Sequence, residues 1–237
     1  MADVSRGAGR VVAVPLAALA RWRNGRPMHP RGAVFSAVLD RHGGDRPWGV
    51  AFLDATSCDD VVVRLSRGAG LPAPLPDLLG LAVRVDGGSG EPVDLLLSTT
   101  GRGALTRVVP ALRRDTASVY GSIMAYRSAA GPIRLAALPT TQGIPSEPGP
   151  LAESVRRRSL VFELAAARGL EPWRPFARLT IHDAVRPLDP DLRFDAVRRP
   201  PPGLSPDGPL ARFRQPAYAA AQEARGDVGT PSSARAH

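Results

Sequence analysis

The chain has 237 residues, 43% of them hydrophobic and 5% aromatic, with 31 basic and 22 acidic side chains and a formal charge of +9. That length supports one sizeable core built from Val, Leu and Ala, and no apolar run reaches the ~18 residues of a membrane span, because charges or prolines interrupt each candidate. Every basic residue is arginine, which excludes a Schiff-base lysine and a P-loop lysine; with so much Ala, Gly and Pro, the charge reads as compositional bias spread over the surface rather than a nucleic-acid footprint. Residues 1–10 read as a flexible tail, and Val11–Arg23 as a short amphipathic helix carrying Leu16, Leu19, Ala20 and Trp22 near one side. The apolar part, Val11–Ala20, is short, contains Pro15 and lacks a cleavage-type site, so it is not read as a signal peptide. The single cysteine, Cys58, excludes an internal disulfide and a Cys-rich metal cluster, with a reducing cytoplasm as the default compartment.

Eight short β-type runs follow, bounded by Gly, Pro and Asp, in two groups of four. The first group is Gly32–Leu39, Val61–Ser66, Gly80–Val85 and Pro92–Leu97; the second is Tyr120–Arg127, Pro132–Leu138, Leu160–Ala166 and Phe176–Ile181. Between them, Gly103–Arg114 reads as helical despite Pro110, while Thr140–Pro150 reads as a surface loop. Arg156, Arg157 and Arg158 form a charge cluster before the seventh run. Residues 186–209 carry seven prolines and read as an extended arm over the domain. Leu210–Arg225 reads as a final helix and 226–237 as a disordered tail. Eight strands without alternating helices predict an α+β domain spanning 11–225, an antiparallel sheet closed into an eight-stranded barrel with a few flanking helices.

Two segments carry candidate chemistry. In Arg26-Pro27-Met28-His29-Pro30-Arg31-Gly32, His29 sits at the entrance to the first strand; it is either an ordinary loop histidine or one that projects into the barrel's mouth. In Val62-Val63-Arg64-Leu65-Ser66, alternation puts Arg64 and Ser66 on one side of a strand. That arginine either faces solvent or needs an anion, since an unpaired buried charge is costly. His42 reads as a turn residue, His182 has no companions at metal-ligand spacing, and Gly87-Gly88-Ser89-Gly90 lacks the strand–turn–helix setting of a dinucleotide fingerprint.

Together with Asp77-Leu78-Leu79-Gly80-Leu81-Ala82-Val83-Arg84, with Asp94-Leu95 and with Pro202-Gly203-Leu204-Ser205-Pro206-Asp207, these segments resemble in order and spacing the heme-dependent catalase superfamily. The resemblance is clearest over residues 26–100 and more diffuse over Tyr120–Ile181. It implies a heme b cofactor and a small peroxide substrate, with His29 as the distal acid/base and Ser66 orienting its imidazole. It likewise implies Arg26 and Arg64 as partners of the heme propionates. The family's distal asparagine falls on Thr99, with Ser98 beside it, and the Phe-rich strand that normally follows is replaced by Gly101-Arg102-Gly103. On the proximal side, Tyr218 matches the axial ligand of the heme iron, with Arg214 four residues before it and Arg225 seven after, all three on one helical stripe. Proline stands at 216 where the family has phenylalanine. The same helix also reads as a solvated tail whose tyrosine packs on the barrel.

The resemblance therefore implies a heme protein that reduces hydroperoxides in peroxidase fashion rather than dismuting them rapidly, since a hydroxyl stands for the amide at Thr99. Two further readings stand beside it: a catalase-like barrel without heme that acts as a binding or scaffold module, and a phosphodiesterase-type hydrolase whose anionic substrate is held by Arg26, Arg64 and Arg225.

Overall fold

The computed structural model describes residues 29–86 and 90–206. Period-two burial organises it. In β2 (Thr56–Arg67), Val61, Val63 and Leu65 are buried while Val62, Arg64 and Ser66 on the opposite face are only half-buried. In β3 (Leu79–Val85) Leu79, Leu81 and Val83 occupy the inward positions but the outer face is also largely buried, and in β4 (Val93–Thr99) Leu95, Leu97 and Thr99 are buried while Leu96 and Ser98 are half-buried. One face of every strand is thus apolar and must be covered, and here the sheet covers itself.

The remaining strands are β1 (Arg31–His42), β5 (Tyr120–Gly121), β6 (Tyr126–Ser128), β7 (Gly131–Pro139), β8 (Leu160–Arg168), β9 (Arg174–Ala184) and β10 (Ser205–Pro206). All pairings are antiparallel. The ring runs β7–β5–β4–β3–β2–β1–β9–β8 and closes by pairing β8 with β7, giving an eight-stranded barrel with no free edge in the ring. β6 continues the line of β5 along β7, and β10 adds to β6. Inside, Tyr120 meets Phe162 edge-on at 5.7 Å and Phe52 meets Phe176 at 6.3 Å.

Three departures from the sequence reading have physical reasons. The predicted helix over Gly103–Arg114 is a loop with one 3-10 turn, Thr106–Val108. Its backbone is taken up by bridges Thr100↔Pro110 and Asp77↔Arg113, and Thr106 Oγ1 accepts from the Gly103 amide instead of facing a helix surface. The predicted loop Thr140–Pro150 gives way at its end to helix α2 (Pro148–Arg157), after a four-residue helix α1 (Ala51–Asp54) earlier in the chain. Proline is at home in a first helical turn, and α2 lays Leu151 and Val155 against β1 and β9. The strand expected over Tyr120–Arg127 is broken at Ser122–Ala125, where Ile123 has φ +59°. No helix among the described residues is long and apolar enough to cross a membrane. The helices read over Val11–Arg23 and Leu210–Arg225 lie outside the described residues.

Residues 186–206 form an arm laid on the outer face of β1–β4. Leu188 O accepts from Val34 N at 2.7 Å, and Arg199 O accepts from Asp94 N at 2.8 Å. Asp94, fully buried, receives both arms of Arg84 at 2.8 Å and the Asp195 amide at 2.7 Å. The Asp94 carboxylate raises the Arg84 pKa further.

Candidate functional site

The candidate site lies on the barrel's outer face, where β2, β3 and β4 meet the segment entering β1. Registers place Gly32, Ser66, Gly80, Ser98 and Gly121 side by side across β1–β2–β3–β4–β5. Directly opposed residues share a face, so this row offers almost no side-chain bulk. His29 folds over it. The sequence reading allowed a projection into the barrel's mouth; the structure corrects this, because interior positions alternate with outer ones and His29 meets the outer set.

His29 is held by backbone and ring together. Its φ of +68° turns the chain sharply, and its amide donates to Gly68 O at 3.1 Å. Its Nδ1 stands 3.0 Å from Ser66 Oγ, and Ser66 Oγ lies 3.5 Å from Gly80 O, at the edge of hydrogen-bond range. The ring rests directly on glycine: a Cβ at Gly80 would stand 2.7 Å from His29 Cε1 and 2.9 Å from Nδ1, and one at Gly68 would stand 3.2 Å from Cε1. Gly68 is itself fixed, its amide donating to Leu78 O at 2.7 Å. The surrounding β2–β3 loop is locked by Asp77, which accepts from the amides of Ala69, Leu71 and Leu78, and by buried Arg67, which binds Leu71 O, Leu75 O, Glu147 and Ser146.

Arg64 reaches across Gly32 and is engaged through Nε and Nη2. Its Nε and Nη2 meet Asp189 Oδ1 and Oδ2 at 2.8 and 2.9 Å, and Nη2 also meets His29 O at 3.0 Å. The structure therefore gives this guanidinium a carboxylate from the arm and lets it brace the His29 backbone. Thr99 does not join His29 and Ser66. Its buried hydroxyl accepts from Leu79 N at 3.1 Å and donates to Ala111 O at 2.6 Å inside the barrel. Ser98, one residue earlier, has the parity that faces Gly80 and Ser66, a signal available from the alternation of Leu95 and Leu97. Arg26, Arg214, Tyr218 and Arg225 lie outside the described residues. Among the described residues, no group of three or more His, Cys, Asp or Glu is arranged to hold a metal ion.

Comparison with solved structures shows the same architecture. A fungal catalase superposes with a TM-score of 0.60 at 12% identity, covering 89% of this chain and 61% of that one. Catalase A from Saccharomyces cerevisiae superposes with a TM-score of 0.59 at 11% identity, covering 89% and 64%. The fold is catalase-like. At these identities the likeness concerns the fold, and the chain spans less than two thirds of each of these enzymes. No protein-family model matches the chain. Transketolases of Mycobacterium bovis and Mycobacterium tuberculosis are 32% identical over 147 residues, which is 61% of this chain. The chain covers 20% of the length of those transketolases, and so short a share carries no argument about their activity here.

Proposed function

We propose that this chain is a heme-binding, catalase-like protein that reduces hydroperoxides in peroxidase fashion. The observation that carries the reading is the His29–Ser66 pair, an imidazole fixed at 3.0 Å by a hydroxyl and laid flat on Gly80. A general acid/base must hold one orientation through a reaction, and a hydrogen bond at one ring nitrogen fixes the role of the other. With Ser66 Oγ accepting from Nδ1–H, Nε2 is the nitrogen that takes a proton from a hydroperoxide and returns it to the departing oxygen. Overall, ROOH takes up two electrons and two protons and leaves as ROH and water, the electrons coming from a small-molecule reductant.

The residues beside His29 fit a flat group. Gly80 and Gly121 carry no side chain and Ser98 between them offers a hydroxyl, while Thr100 Oγ1 lies close over Gly121. Heme, when bound, supplies an iron centre that accepts the oxidising equivalents of a peroxide bond. Tyr218 is the residue we assign to its iron, and Arg26, Arg214 and Arg225 to its propionates and to the phenolate, as the family resemblance implies. Arg64 takes a different part from that first expected: held by Asp189, it positions His29 through the carbonyl contact.

Steady-state reduction of tert-butyl hydroperoxide by hemin-reconstituted protein tests this reading. His29→Gln should lower kcat/KM by roughly 10²–10⁴, the usual share of a general acid/base. Ser66→Ala should lower it about 10- to 100-fold through misorientation alone. Wild-type turnover in His29→Gln would sink the assignment.

One observation favours a second reading, a barrel without heme that serves as a binding module: the arm already satisfies Arg64 with Asp189 and Asp94 with Asp195. Failure of the wild-type protein to take up hemin would select it. The hydrolase reading relied on Arg26, Arg64 and Arg225 to hold an anion; the Asp189 carboxylate already occupies Arg64, and the other two lie outside the described residues.

A further inference from the structure

Two strands along the same outer face, beside Gly121, Arg107 is 2% exposed, yet its Nε and Nη1 make no hydrogen bond. Only Nη2 is used, donating to Glu171 O at 2.8 Å. Its guanidinium carbon sits 4.4 Å from the Trp173 ring centroid. Half-buried Arg134 stands close enough to repel it, and its own Nε is buried without a partner. Burial and the Arg134 charge both lower the Arg107 pKa. The backbone explains the juxtaposition. The Arg107 carbonyl passes 3.4 Å from where a Cβ on Gly121 would stand, Gly121 lies opposite Ala136, and Arg134 precedes Ala136 by one outward-facing step on β7.

Two like charges with orphaned donors are doubly unfavourable, since each unsatisfied buried polar group costs free energy and the cations repel. Two other arginines of the barrel meet carboxylates, buried Arg67 with Glu147 and half-buried Arg84 with Asp94, whereas Arg168 shares the unpaired buried Nε. Neither Arg107 nor Arg134 has a carboxylate partner among the described residues. An oxyanion between them supplies what is missing, acceptor atoms for three N–H groups and a negative charge, and forked guanidinium groups match that geometry.

We propose that Arg107 and Arg134, walled by Trp173, form a binding site for a small oxyanion, either a phosphate or a carboxylate group. This site does not depend on heme.

Thermal melts of the full-length protein in chloride, inorganic phosphate and acetate at equal ionic strength test it. A tenfold excess of ligand over Kd should raise Tm by about 3–5 °C above chloride. A response to phosphate alone assigns a phosphoryl ligand, and an equal response to acetate assigns a carboxylate. Arg107→Gln also removes packing on Trp173, so the deciding variant is half-buried Arg134→Gln. It should abolish the shift while melting no lower than wild type in chloride, because it relieves the repulsion. No oxyanion response beyond chloride, or the same response in Arg134→Gln, overturns the proposal.

Discussion

Asp189 grips Arg64 with both carboxylate oxygens, at 2.8 and 2.9 Å, although 125 residues separate them in the chain. This pair fastens the proline-rich arm to the face that carries His29, because the same guanidinium nitrogen that meets Asp189 also meets the His29 carbonyl. Both side chains retain some solvent contact, 17% and 31%, so screening limits what the pair contributes. Asp189→Ala should cost about 1 kcal/mol and expose the arm to limited proteolysis at Arg193 and Arg198. Urea unfolding and a timed trypsin digest measure the two effects; an unchanged digest would mean the arm is held elsewhere.

Gly80 gives a cleaner test of the imidazole's placement. Gly80→Ala puts a methyl 2.7 Å from His29 Cε1 and 2.9 Å from Ser66 Oγ, distances that force the ring away. A displaced side chain on the barrel's outside relaxes easily, so the stability loss should stay near 1 kcal/mol. Hydroperoxide turnover should fall about 100-fold, as expected for a misplaced catalytic group. Turnover that survives the methyl would show that the ring's seat on Gly80 is irrelevant to activity.

The buried Asp94 should matter far more to folding. Removing its carboxylate in Asp94→Ala strands Arg84, which is only 16% exposed, and leaves the Asp195 amide without its acceptor. Breaking such a pair from one side typically costs about 3–5 kcal/mol. Chemical denaturation should show that loss, and the paired change Arg84→Met/Asp94→Leu should recover much of it.

How far the sequence carried this picture depends on the kind of signal. Runs such as Val61–Ser66 and Gly80–Val85 are rich in branched apolar residues between Gly and Asp, and seven of the eight runs fall on barrel strands, while Tyr120–Arg127 does so only at its ends. The helical reading of Gly103–Arg114 followed composition, while long-range bridges from Thr100 and Asp77 decided the backbone. The helix Pro148–Arg157 was hidden because its prolines look like loop residues, although a first turn tolerates them. At the site, pairing of His29 with Ser66 was legible through the family pattern, whereas Thr99 was chosen by offset and alternation favours Ser98 on the outer face. Arg107 and Arg134 were invisible among 31 arginines, because only the fold of β5–β7 brings them together.

Tyr120 makes the barrel sensitive to alkali. It is fully buried, donates to Thr116 O at 2.9 Å, and burial followed by the Asp115 charge pushes its phenol pKa up. The folded state therefore holds the neutral form, so this contribution is intact below the free tyrosine value of about 10 and is lost as pH rises beyond it. Unfolding followed from pH 8 to 12 should show stability falling above about pH 10. Tyr120→Phe should flatten that slope while costing about 1 kcal/mol at neutral pH from the unpaired carbonyl. An unchanged slope would assign the alkaline loss to other groups.

The heme reading is tested most directly by the absorption spectrum and pyridine hemochrome of the full-length protein purified after expression with hemin. The account predicts one heme b per chain with a Soret band that Tyr218→Phe removes and His29→Gln merely shifts. A colourless wild-type protein, or a band unchanged in Tyr218→Phe, would contradict it.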